Sequence, residues 1–137
     1  FFLFHKIAVV MKKIIYTKNA PAPIGPYSQA VLSGNTLYVS GQIAINPKSG
    51  ELITGDLIAE TKQVMENLKA VLQAAEMNFD HVVKCSIFLS DMNNFATVNE
   101  IYVSYFSENN YPARETVEVS VLPKNVNVEI SCIAVKD

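Results

Sequence analysis

Alternation of apolar and polar side chains is densest toward the C-terminal end of the chain. Over residues 113–121, Ala113, Val117, Val119 and Val121 take the odd positions, interrupted by Glu115, while Arg114, Thr116, Glu118 and Ser120 take the even ones. Over residues 126–134, Val126, Val128, Ile130, Cys132 and Ala134 form an apolar row opposed by Asn127, Glu129 and Ser131. A period of two marks a strand with one buried face. Leu122-Pro123-Lys124-Asn125 separates the two runs and predicts an antiparallel hairpin. If Val121 pairs with Val126, then Glu118 lies opposite Glu129 and Thr116 opposite Ser131, with Arg114 further along the same face. Like charges directly opposite each other are unfavourable, so either the register differs or a neighbouring group compensates them.

The remaining pattern divides cleanly. Residues 12–17 are a short β-branched run, an edge strand by length. A second strand begins near Ser28, Ser33-Gly34-Asn35 supplies a turn, and residues 36–43 return, with Leu37, Val39 and Gly41 on one side. Gly41 weakens an otherwise good strand. It marks either a bulge or a place where another group approaches the backbone, leaving an N–H to point at a ligand. Asp56 is a suitable N-cap for a helix over 57–77, whose apolar stripe is Leu57, Val64, Met65, Leu68, Val71, Leu72 and Ala75. Thr61, Lys62, Glu66, Asn67 and Lys69 are expected largely away from that stripe. Residues 82–90 alternate as a strand. The cluster Asp91-Met92-Asn93-Asn94 then caps a second helix over 95–108, whose Phe95, Val98 and Tyr102 read as core. The order β-β-β-α-β-α-β-β predicts an α+β domain, a mostly antiparallel sheet with both helices on one face. The other face is left uncovered, and association with further copies of the chain is the economical way to cover it.

With 137 residues, the chain is one domain. Its net charge of -2 and isoelectric point near 5.7 leave no basic footprint for a phosphate backbone, which argues against a nucleic-acid partner. Residues 1–10 (FFLFHKIAVV) precede Met11 and read as an extension outside the 11–137 domain. They are far short of the ~20 apolar residues that span a bilayer. No membrane association is expected. Cys85 and Cys132 both fall in apolar rows, and buried thiols without a secretion signal suggest the cytoplasm. No second histidine is spaced to share a metal with His81, so no metal site is expected. Asn46-Pro47-Lys48-Ser49-Gly50 is a turn without the glycine spacing of a phosphate loop.

Candidate chemistry centres on Arg114, Thr116, Glu118, Glu129 and Ser131. A solvated sheet face explains them without any function. A site for a small carboxylate is the sharper alternative, because the planar guanidinium fork matches a carboxylate through two parallel hydrogen bonds. Tyr27 follows a loop whose three prolines limit its freedom, so it is either packing or a fixed pocket wall.

Five segments, Gly25-Pro26-Tyr27-Ser28-Gln29-Ala30, Ser40-Gly41-Gln42, Phe95-Ala96-Thr97-Val98-Asn99, Tyr111-Pro112-Ala113-Arg114 and Val128-Glu129-Ile130, resemble in order and spacing the RidA (YjgF-type) reactive intermediate deaminases. The resemblance runs from Met11 to the C-terminus. It implies a chorismate mutase-like (bacillus-type) fold and a homotrimer with three sites in the clefts between subunits. It also implies hydrolysis, without metal or organic cofactor, of 2-aminoacrylate and 2-aminocrotonate to 2-keto acids and ammonia. Such enamines and imines are released by pyridoxal phosphate-dependent dehydratases. Carried onto this chain, Arg114 binds the substrate carboxylate with help from the Gly41 backbone, and Glu129 positions and activates water. Tyr27, Ser40 and Asn99 line the pocket. Thr116 stands where many bacterial members have a cysteine, which keeps a hydroxyl and removes thiol reactivity. Two other functions compete with the enzyme. A binding or sensing module would hold a 2-keto acid without turnover, although a carboxylate near a bound anion is then unnecessary. An endoribonuclease or translation inhibitor conflicts with the acidic balance of the chain.

Overall fold

The computed structural model describes residues 11–137, and the expected extension at 1–10 lies outside the described residues. Six strands and two helices follow in the predicted order: β1 (Lys13–Ile15), β2 (Ala30–Ser33), β3 (Thr36–Gln42), α1 (Leu57–Ala74), β4 (Val82–Leu89), α2 (Phe95–Val103), β5 (Ala113–Glu118) and β6 (Val128–Val135). They form a single sheet of order β1-β2-β3-β6-β4-β5, antiparallel except for the parallel pair β4 and β5. The architecture is α+β with a mixed sheet.

The predicted hairpin does not form. β5 pairs in parallel with β4 across the α2 crossover, and β6 inserts between β3 and β4. A helix between two strands favours that parallel pairing. The connection over 119–127 is no tight turn either. Leu122 and Val126 bury into a small cluster with Ile43 and Ile45, and Pro123–Asn125 make a single 3-10 turn in which Lys124 and Asn125 take the left-handed region (φ 56° and 57°). Those anchors carry the chain across the end of β4, where Val119 N–H donates to Leu89 O (2.8 Å) and Ser90 N–H to Asn127 O (3.1 Å). Glu118 therefore never faces Glu129. It partners Leu89, and its Oε1 accepts from Met92 N–H at 2.7 Å.

The core lies between the sheet and the helices, where Leu37, Ile87, Leu89, Val128 and Ile130 meet Val64, Met65, Leu68, Leu72 and Val98. Asp56 caps α1 as expected, accepting from Ala59 N–H at 3.1 Å. Thr61 and Asn67 were expected away from the core and are buried instead. Thr61 Oγ1 donates to Leu57 O, and Asn67 Nδ2 donates to Ile43 O (3.1 Å) and Ile45 O (3.0 Å), fixing the strand-to-helix connection. Helix α2 stops at Val103, short of the predicted 108, and Ser104 Oγ donates back to Ile101 O (2.6 Å) at its end. On the opposite sheet face Ile14, Tyr38 and Val117 are exposed apolar side chains with no partner element among the described residues.

Candidate active site

Strand register decides which candidates can meet. Arg114 partners Cys85 and Thr116 partners Ile87, both of which face the helices, so Arg114 and Thr116 lie on the helix side at the sheet edge. Glu129 partners Phe88 and Ser131 partners Ser86, on the opposite face. The expectation of one face holding the guanidinium with both carboxylates is thus corrected. A sequence pattern fixes alternation along each strand, and the unforeseen strand order placed β4 between the two rows.

The first cluster is built around Arg114. Its guanidinium carbon lies 5.0 Å from the Tyr102 ring centroid and 5.5 Å from that of Phe95, and its Nη1 donates to Asn99 Oδ1 at 2.6 Å. No carboxylate stands within salt-bridge distance of it among the described residues, where the one ion pair is Lys84 with Glu115. A hollow of about 340 Å³ lined by Tyr102, Val103, Tyr111, Pro112 and Arg114 opens beside it. The Thr116 Oγ1 and Tyr102 hydroxyl are both buried without a hydrogen-bond partner among the described residues. Burial pushes the Cys85 thiol up and the Tyr102 phenol well above the ordinary range.

The second cluster is built around Glu129. A hollow of about 370 Å³ is lined by Ile24, Tyr27, Ser40, Gly41, Pro123 and Glu129. Ser40 Oγ donates to Ser28 O (2.6 Å), and Tyr27 Oη accepts from Ile24 N–H (3.3 Å). The β3–β6 ladder shifts register between Val39 and Gln42, which makes Gly41 part of a bulge. Glu129 folds over that glycine, so a Cβ there would stand 2.9 Å from its Cδ and 3.0 Å from its Cγ. Gly41 is needed for close approach. Burial alone pushes the Glu129 carboxyl above its ordinary value.

The chain therefore brings Arg114, Asn99 and Thr116 to one place, and Tyr27, Ser40, Gly41 and Glu129 to another. Sequence reasoning missed that Phe95, read as core, is exposed beside the guanidinium and that Tyr102, buried in the core as expected, also meets it, and it missed the wall residues Ile24, Pro123 and Tyr111. The signal for the first two was available. Phe95, Asn99 and Tyr102 stand at i, i+4 and i+7, on one face of α2.

The fold and the two clusters make this a small α+β domain carrying an unneutralised arginine, among the described residues, and a separate carboxylate seated on a glycine bulge. The family model described as Endoribonuclease L-PSP matches residues 17–136, and the chain belongs to that family, the RidA (YjgF-type) proteins whose motifs it carries. It is 54% identical over 127 residues to a RutC family protein of Pyrococcus horikoshii, spanning 93% of this chain and all of the relative. To the 2-iminobutanoate/2-iminopropanoate deaminase of Mus musculus it is 48% identical, covering 93% of each chain. The crystal structure of E. coli TdcF with bound serine superposes with a TM-score of 0.87 at 42% identity, covering 91% of this chain and 99% of that one.

Proposed function

We propose that this protein hydrolyses reactive 2-enamine and 2-imine acids such as 2-aminoacrylate and 2-aminocrotonate to the 2-keto acid and ammonia. One observation carries the reading. Among the described residues Arg114 is a partly buried cation held only by neutral groups, and a desolvated charge without a counter-ion is a site for an anion. Mammalian relatives named as imine deaminases and a family member with bound serine point to the same small carboxylates.

The site is completed between copies of the chain. One copy supplies Arg114, Asn99 and Thr116, and its neighbour supplies Glu129, Tyr27, Ser40 and Gly41. Because the two clusters lie on opposite faces of the sheet, the association is head to tail, and it makes a closed ring where the rotation between copies closes. A homotrimer of chorismate mutase-like arrangement fits this, with Ile14, Tyr38 and Val117 facing inward.

In the mechanism Arg114 grips the carboxylate through its in-plane N–H groups. Glu129, whose burial favours the protonated acid, supplies the proton that makes the imine carbon electrophilic, and then as carboxylate takes one from the attacking water. Glu129 returns the proton it took from water to the nitrogen of the carbinolamine formed at C2, the C–N bond breaks, and the hydroxyl gives up its proton to Glu129 as 2-keto acid and ammonia leave. The chemistry assigns no role to a metal or organic cofactor. Pyridoxal phosphate-dependent dehydratases generate such substrates, and the buried free thiols Cys85 and Cys132 suit a reducing cytoplasm.

The test is ammonia release from 2-aminoacrylate made in situ by a serine dehydratase, corrected for the no-protein rate. Arg114→Ala should abolish the excess rate, and Arg114→Lys should not restore it, since an ammonium lacks the fork. Arg114→Ala and Glu129→Gln, each inactive, should recover about a quarter of wild-type activity when unfolded together and reassembled, because a random head-to-tail ring joins the two intact halves at one junction in four. Full activity of Arg114→Ala, or no recovery on mixing, would discard the reading.

A further inference from the structure

Arg114 leaves an edge strand, where a long side chain ordinarily wanders in solvent, yet its guanidinium is confined on several sides. Phe95 and Tyr102 are seven residues apart on α2, about 10 Å along the helix axis. The guanidinium carbon stands 5.5 Å from one ring centroid and 5.0 Å from the other, so it lies between them. Asn99, midway along the same helix face, accepts from Nη1 at 2.6 Å. The Tyr102 ring is itself fixed. Its centroid lies 4.8 Å from that of Phe106, which stands 5.2 Å from Phe79, and Tyr105 closes the cluster against Phe79 at 5.5 Å.

We infer that Phe95 and Tyr102 are positioning residues, a neutral aromatic clamp that aims the Arg114 guanidinium at the substrate carboxylate without neutralising it. The inference rests on the proposed carboxylate-binding role of Arg114. A protein can immobilise an arginine more strongly with an aspartate or glutamate, but such a partner occupies the same in-plane N–H groups that a substrate carboxylate needs. Aromatic faces attract the cation through their quadrupole and leave the donor edge free. Asn99 takes one N–H of the five and carries no charge. The result is a fixed cation with open donors, the state in which an anion gains most and reorganises least.

The clamp predicts a pattern that simple packing does not. Phe95 is 36% exposed, so changing it leaves the core intact. Phe95→Leu should raise KM for the imine substrate, and the dissociation constant for the product 2-ketobutyrate, about tenfold. The turnover number should stay within about twofold of wild type, since uniform binding is what is lost. Phe95→Trp, with a larger π face, should bind at least as well as wild type. The measurements are made on the purified, assembled protein, with Arg114→Ala alongside. Unchanged KM and product affinity in Phe95→Leu, or equal loss in Phe95→Leu and Phe95→Trp, overturns the clamp while Arg114→Ala remains unable to bind. If Arg114→Ala binds product normally, the carboxylate role itself has failed, and the two failures are told apart.

Discussion

Replacing Gly41 by alanine should disable the proposed reaction while leaving the protein folded. Gly41 is absent from the glycines with positive φ, which are Gly34, Gly50 and Gly55, so its backbone accepts an L side chain. The obstacle is Glu129, whose Cδ and Cγ would lie 2.9 and 3.0 Å from the new methyl carbon. Carbon atoms in comfortable contact stand about 3.5–4.0 Å apart, so the carboxyl must retreat by roughly 0.5–1 Å. It can do so by rotating, because the atoms met belong to the end of a flexible side chain rather than to backbone. A shift of about 1 Å in a reacting group can cost on the order of 10²-fold in rate.

The same change restricts the unfolded chain, which contributes about 0.4–1 kcal/mol of stability and offsets part of the cost of unseating Glu129. Calorimetry should therefore find the melting midpoint within a few degrees of wild type, while the excess rate of ammonia release falls about a hundredfold. Alanine at position 41 should add little to the defect of Glu129→Gln, since both act through one group. A rate within about twofold of wild type would refute the argument, as would a full further loss in the double variant.

Burial raises Glu129, so its folded value exceeds its unfolded one, and the stability this group contributes is complete below about pH 4.5 and is lost as pH rises through the folded value. Glu129→Gln should thus melt with wild type near pH 4 and above it near pH 8; an equal difference at both would contradict the assignment. Asn67→Ala leaves the buried Ile45 O without its donor, while Ile43 O keeps Ile45 N–H at 2.8 Å, and urea titration should show a loss of about 1–3 kcal/mol. A loss below about 1 kcal/mol would mean that other groups or water replace the amide. Cys85 and Cys132 are buried and their thiols are held above the ordinary range, so an aromatic disulfide reagent should label neither in the native protein and both after denaturation. Prompt native labelling would contradict their placement.

Local signals in the sequence were read correctly where the physics is local. The Asp56 cap, the stripe of α1, the alternation of β6, that of β4 from Cys85 onward, and the bulge at Gly41 each depend on a few neighbouring residues, whereas Val83, expected in the apolar row, is exposed because the ladder shifts register between Val82 and Lys84. Strand adjacency is not of that kind. Leu122-Pro123-Lys124-Asn125 is good turn chemistry, and only the burial of Leu122 and Val126 against Ile43 and Ile45 turns it into a crossover. Those residues lie some eighty positions away, beyond any window of periodicity. Asn67 misled for a similar reason. A polar residue beside an apolar stripe reads as solvated until the carbonyls it satisfies are in place. The aromatic positions of α2 were read as filler because the cation they hold comes from a strand that follows the helix.

Splitting the candidate site across two faces has a chemical logic. Were Arg114 and Glu129 neighbours within one chain, they would pair, the carboxylate would be held ionised, and the guanidinium would have no donor edge to offer. On opposite faces each keeps what the reaction needs: Arg114 is charged and unpaired between two rings, and Glu129 is held above its ordinary value by burial beside Gly41. In the proposed assembly a twofold dimer would force both clusters into one shared interface, which opposite faces do not allow, whereas repeated head-to-tail contact would put each cluster in its own cleft. In the proposed reaction the substrate supplies the missing anion for Arg114 and stands between the two groups, so the pairing that would quench them within one chain is prevented by the molecule on which they act.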